Sequence, residues 1–162
     1  MHGSPCYEAA YSRLLQVPNE TFAIFSNYYS EEDAANIYNL SMQGIIQMNR
    51  LASALVEKDE EGAIGAMEQW GQNIVLLSEA YARLNPYWSK EQWESLLGRN
   101  IQLTYQMMQA VIADDCQRSL AVFDRIKAHA IVMGDYQARG IIRGLLLPEG
   151  FGQSETALMF VE

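Results

Sequence analysis

Two polar residues, Asn100 and His129, interrupt the apolar stripes of two neighbouring predicted helices. Asn100 lies 14 residues before Asp114, and His129 lies 14 residues after Asp115, where the chain is expected to turn. Because the rise per residue is the same in both arms of an antiparallel hairpin, the two residues are predicted at one level. Burial would keep the imidazole of His129 neutral near pH 7.

Two interpretations of this pair stay open. In the first, the imidazole and the carboxamide hydrogen-bond each other inside the core. In the second, they line a pocket for a small ligand. Small residues on the facing first long helix favour a cavity or a close helix approach at this level, where neighbouring layers carry large side chains. The candidate ligand-binding residues are Ser41, Gly44, Met48, Trp70, Asn100, His129 and Met133.

The residue types that metal or covalent chemistry requires do not occur at the necessary spacing. The chain has two histidines, and the residue three before His129 is Ile126, so the Glu-x-x-His pairs of di-iron bundles are missing. Cys6 and Cys116 have neither zinc-site nor redox spacing. No phosphate-binding glycine motif or Ser-His-Asp arrangement stands out. We therefore expect no metal, no cofactor and no catalytic residue, and we expect Cys116 to be buried as a small hydrophobic residue.

Apolar residues at steps of three and four predict four long helices that would position these side chains, over residues 31–57, 60–84, 90–112 and 116–142. Ser30, Asp59 and Ser89 precede three of them and can cap their free amides. Short links make successive helices antiparallel neighbours. The predicted fold is all-α, an up-down-up-down antiparallel four-helix bundle.

The segments that flank the bundle differ from it in composition. Residues 1–30 form an arm with short helices over 5–16 and 20–29, the first ended by Val17-Pro18. The bundle itself occupies residues 31–144. Residues 145–162 form an unusually apolar C-terminal tail, which we expect to pack on its own bundle or on a second copy of the chain.

The charge balance narrows the classes of partner. The formal net charge of the 162 residues is −9, and the Lys and Arg residues are scattered. Such a field repels nucleic acid and anionic membrane surfaces, so neither is expected as a partner. No apolar stretch of the signal-peptide or membrane-spanning type occurs, which favours a cytoplasmic location.

The stretch Asn-Pro-Tyr-Trp-Ser-Lys-Glu-Gln-Trp over residues 85–93 resembles a hallmark of a bacterial family of uncharacterised all-helical proteins. Leu103-Thr104 and the segment from Val122 to Asp135 are similar to that family too, and the resemblance spans residues 13–142. It implies a helical bundle and no established reaction. Some members carry a label as acetylglutamate kinase, although an amino-acid kinase needs a much longer α/β chain with a phosphate-binding loop.

This chain departs from the family pattern at the N-terminal helix and at the histidines. Relatives have a longer N-terminal helix with an aromatic-and-His motif, and they carry a His where Asn100 stands and another near Ile45. Only His129 of these is present here. A metal or acid–base role of such a His cluster is therefore not carried over to this chain.

The sequence predicts a protein that acts by binding or self-association, without catalysis and as a homodimer. The alternative is a small-molecule sensor or a degenerate enzyme with a pocket centred on His129 and Asn100. A close-packed interior with a large apolar surface would favour self-association. A void at the level of the polar pair would favour the pocket.

Overall fold

The computed structural model describes residues 5–147, and all regular structure in that range is helical. The helices are α1 (Pro5–Leu14), α2 (Val17–Phe25), α3 (Glu31–Glu57), α4 (Glu60–Leu84), α5 (Lys90–Ile112) and α6 (Cys116–Leu146). The predicted all-α class is confirmed. The long helices have the predicted bounds, except that α6 runs four residues further than expected and so includes the start of the predicted tail. The rest of that tail, from residue 148, lies outside the described residues.

Side-chain caps set the starts of the long helices. Ser30 and Ser89 accept hydrogen bonds from backbone amides three residues ahead, at 3.1 Å and 3.0 Å. The carboxylates of Asp59 and Asp115 do the same at α4 and α6. Each cap satisfies an amide that has no partner within its helix, so these four residues fix where the helices begin.

The boundary between the first two helices differs from the prediction. Helix α2 already begins at Val17, because Pro18 occupies its first turn, where a missing amide hydrogen costs nothing. The proline therefore starts the second helix instead of only ending the first. Phe25, the last residue of α2, is fully buried and belongs to one core cluster with residues of α3, α4 and α5.

Each long helix packs antiparallel against the next one in the chain. On α3 and α4, the Asn73 amide group donates to the Leu40 carbonyl at 3.0 Å, while Arg50 reaches Gln69. Helix α2 packs against α3. Within the described chain, α6 packs extensively against α5 and has no interface of comparable extent with another long helix. Closure of the four helices into a bundle is therefore not confirmed.

A cluster of aromatic side chains joins six parts of the fold at one end. Its central member, Trp88, lies in the link between α4 and α5 and is 2% exposed. The indole N–H of Trp88 donates to the backbone carbonyl of Tyr136 at 3.3 Å, which attaches α6 to the link. Burial raises the pKa of the Tyr81 phenol, so this ring stays neutral in the cluster. The rings in mutual contact are Phe25, Tyr29, Tyr81, Trp88, Trp93 and Tyr136.

The close approach of α6 to this cluster requires a glycine at position 140. A Cβ atom at Gly140 would overlap the buried indole of Trp88. We expect Gly140→Ala to lower the free energy of unfolding by about 1–3 kcal/mol, because the overlap outweighs the better helix propensity of alanine. Gly71→Ala in α4 is the control, since nothing lies within 4 Å of a Cβ atom there. It should raise stability by up to about 1 kcal/mol in urea titrations. A stabilising effect of both substitutions would contradict the close approach.

Candidate functional site

A cavity of about 270 Å³ lies between α3, α4 and α5, beneath the segment that joins α1 to α2. It opens to solvent, and its inner wall is apolar. The apolar side chains come from all of these helices: Leu14, Val17, Pro18, Ile45, Met48, Ile74, Leu77, Leu97 and Ile101. Asn100 of the predicted polar pair lines this cavity.

Two deeply buried polar side chains in the cavity wall have unused hydrogen-bonding capacity. Trp70 is 7% exposed, and its indole N–H has no acceptor among the described residues. Asn73 is 6% exposed; its amide group donates to the Leu40 carbonyl, while its Oδ1 atom has no donor in the same part of the chain. The fully enclosed side-chain atoms without a partner in the described chain are Ser78 Oγ and Trp93 Nε1, so the two atoms of the cavity wall are instead reached from the cavity. They mark where a ligand or water would be held.

Gly44 brings this donor and this acceptor side by side. A Cβ atom built at Gly44 would lie 3.0 Å from Asn73 Oδ1 and 3.5 Å from Trp70 Nε1. The two polar atoms therefore both lie next to Gly44 on α3. Because glycine has no side chain, the space there is left open. A single ligand group that both accepts and donates, such as a hydroxyl, can serve both atoms.

The mouth of the cavity adds polar groups but no charge. Ser41 and Asn100 line it, and neither side chain has a hydrogen-bond partner among the described residues. No Asp, Glu, Lys, Arg or His side chain contributes to the lining. A charged ligand would lose part of its hydration there without gaining an ion pair, so the lining suits a neutral molecule better than a charged one.

His129 lies at the predicted level but outside this cavity. Its Nε2 atom is 2.8 Å from the carbonyl oxygen of Leu96, to which it donates. That carbonyl is also the one that the backbone amide of Asn100 bonds in a regular helix. The predicted hydrogen bond between the two side chains is therefore wrong. The Asn100 carboxamide faces α3 and α4, whereas His129 approaches α5 from the other side.

The structure thus brings together five of the seven predicted site residues and separates the other two. Ser41, Gly44, Met48, Trp70 and Asn100 line the cavity. His129 and Met133 do not; Met133 packs beside the aromatic cluster instead. Asn73 also lines the cavity, although it was not among the predicted site residues. The signal for it was its position three residues after Trp70, which puts both side chains on one face of α4.

The remaining surface offers weaker candidates. A depression of about 440 Å³ lies between α3 and α4. Its charged and amide side chains include Arg50, Glu57 and Gln69, all of which are exposed to solvent. No group of three or more His, Cys, Asp or Glu residues suited to a metal ion occurs in the described part of the chain. None of the helices described combines the length and apolarity needed to cross a bilayer. Cys116, expected to be buried, is exposed at the start of α6.

Comparison of the chain with protein-family models, with curated proteins and with solved structures finds no match.

Proposed function

We propose that this protein acts by binding a neutral small molecule in the cavity between α3, α4 and α5. The observation that carries the proposal is a pair of polar atoms without a hydrogen-bond partner in the described chain, Trp70 Nε1 and Asn73 Oδ1, which belong to two largely buried side chains and lie next to Gly44. The proposed pocket lies at the level predicted from the sequence and includes Asn100. Asn73 takes the place of His129 as its second polar residue. It requires no catalytic residue, in line with the expected absence of an enzymatic role. Closure of the helices into a four-helix bundle and a cytoplasmic location remain predictions.

The size and lining of the cavity define the ligand class. An engineered apolar cavity of about 150 Å³ holds one benzene ring, so about 270 Å³ suits one or two fused rings. The apolar wall favours a flat hydrocarbon body. The polar pair adds a requirement for one group that accepts from Trp70 and donates to Asn73. The class is therefore a neutral, largely apolar ring compound with a hydroxyl or secondary amide.

Titration with 2-naphthol tests this directly, because its hydroxyl both donates and accepts. We expect saturable binding that shifts the Nε1–H signal of Trp70 in ¹H–¹⁵N spectra. With 2-methoxynaphthalene, which can accept but not donate, we expect affinity about three- to tenfold weaker, the value of one hydrogen bond. Equal affinity for both compounds would contradict the role of Asn73.

A matched pair of serine variants locates the site. Ser41→Leu fills the mouth of the cavity and should weaken binding of 2-naphthol at least about tenfold, by excluding the ring. Ser95→Leu makes the same exchange at an exposed position of α5 outside the cavity and should leave the affinity unchanged. If both variants bind as the unmodified protein does, the compound binds elsewhere and the proposed site is wrong.

A further inference from the structure

One face of α6 carries a regular row of exposed side chains. With 100° per residue, this row lies opposite Val122, His129 and Gly140, of which Val122 and Gly140 are buried and His129 contacts α5. Steps of three and four separate its members, the spacing of a helix that packs along another helix. The ion pairs that its charged members make are exposed and lie within α6, Lys127 with Asp124 and Asp135 with Arg139. The members are Leu120, Asp124, Lys127, Ile131, Asp135, Ala138 and Ile142.

The large apolar side chains of this row are mostly exposed to solvent, which is unfavourable in water. The exposed fractions are 67% for Leu120, 62% for Ile131 and 52% for Ile142. They occur at both ends and in the middle of the row, which extends over most of a helix of 31 residues. Exposed large apolar side chains along one helix face, with charged residues between them, are typical of an interaction surface.

The row is self-complementary in an antiparallel arrangement about Ile131. In an antiparallel pair centred on that residue, Ile131 meets its counterpart and Leu120 meets Ile142 of the second helix. Lys127 meets Asp135 of the second helix, so the opposite charges coincide, twice by symmetry. A parallel pair would instead place Lys127 beside Lys127. Only the antiparallel register matches both charge and hydrophobicity.

We infer that a second copy of this chain docks on this face, with the two α6 helices antiparallel about a twofold axis at Ile131. A helix of 31 residues is about 46 Å long. A contact strip about 10 Å wide then buries about 500 Å² per copy, close to the lower limit for a specific interface. We therefore expect a dimer with a dissociation constant in the micromolar range. The inference is independent of the proposed ligand.

Sedimentation of the full chain between about 1 and about 200 μM tests the dimer, since this range brackets micromolar dissociation. Ile131→Asp places two like charges at the axis and should weaken association at least about tenfold. Val132→Asp is the matched control: Val132 is 54% exposed and adjacent in sequence, but it points about 100° away from the row. A monomer at every concentration, as expected if residues 148–162 cover the face within one chain, would overturn the inference. So would equal effects of the two variants.

Charge exchange tests the register. Lys127→Glu and Asp135→Lys should each weaken association about tenfold, because each brings like charges together across the axis. The two substitutions change the net charge in opposite directions, so a general charge effect would weaken association in one and strengthen it in the other. The double variant restores both ion pairs and should regain the affinity of the unmodified chain. Dimerisation that the double variant fails to restore would overturn this register.

Discussion

Replacement of Trp88 by alanine is expected to lower the free energy of unfolding by about 3–5 kcal/mol, the range for Phe and Trp residues in protein cores. The indole contacts Phe25, Tyr29, Tyr81 and Trp93 and is 2% exposed. Because it is enclosed by parts of the chain far apart in sequence, no single neighbour can move to fill the space. Its hydrogen bond to the carbonyl of Tyr136 is lost as well.

The adjacent Tyr87 provides the control for this prediction. It lies in the same link but is only partly buried, and its hydroxyl donates to the carbonyl of Leu147 at the end of α6. We expect Tyr87→Ala to cost about 1 kcal/mol, the value of that hydrogen bond and a modest loss of packing. Urea titrations followed by circular dichroism give both values. Similar losses for Trp88 and Tyr87 would mean that the cluster does not hold the helices together.

The extent of the helices follows from local sequence, and so it could be predicted. The side chains of Ser30, Asp59 and Ser89 cap α3, α4 and α5 by accepting hydrogen bonds from backbone amides three residues ahead. These interactions need no tertiary structure. Short links then dictate antiparallel neighbours. How the helices close around a common axis depends on contacts between distant segments. Among the long helices of the described chain, α6 packs extensively only against α5. Its position depends on the contact between Gly140 and Trp88, which no sequence periodicity reveals.

The level of the candidate site could be predicted, but its direction around the helix axis could not. Counting from the turn places Asn100 and His129 at one height, as the hydrogen bond from His129 to Leu96 confirms. A stripe that repeats every three or four residues is wide enough to face two neighbouring helices at once. Asn100 lies on the edge of its stripe toward α4, and His129 approaches from α6. The small residues Ser41 and Gly44 were the better indicators, because a cavity needs missing volume as well as polar groups.

Trp70→Ala is the second substitution with a large expected effect, about 3 kcal/mol in the free energy of unfolding. The side chain packs against Leu51, Ala66, Ile74 and Ile101 in a core separate from the aromatic cluster. The decrease in the free energy of unfolding should be smaller than that for Trp88→Ala and lie near the lower end of the range for tryptophan. The reason is that Trp70 lines a cavity open to solvent, so water can enter the enlarged space.

Trp70→Phe separates the structural role of this residue from its role in binding. The phenyl ring keeps most of the buried area, and we expect it to cost less than about 1.5 kcal/mol of stability. It removes the indole N–H, so 2-naphthol should bind about three- to tenfold more weakly than to the unmodified protein. Thermal or urea unfolding with the compound present measures both quantities, because a ligand at a hundred times its dissociation constant stabilises the native state by about 2.7 kcal/mol. Full stabilisation of the phenylalanine variant would show that Trp70 supports the cavity without contacting the ligand.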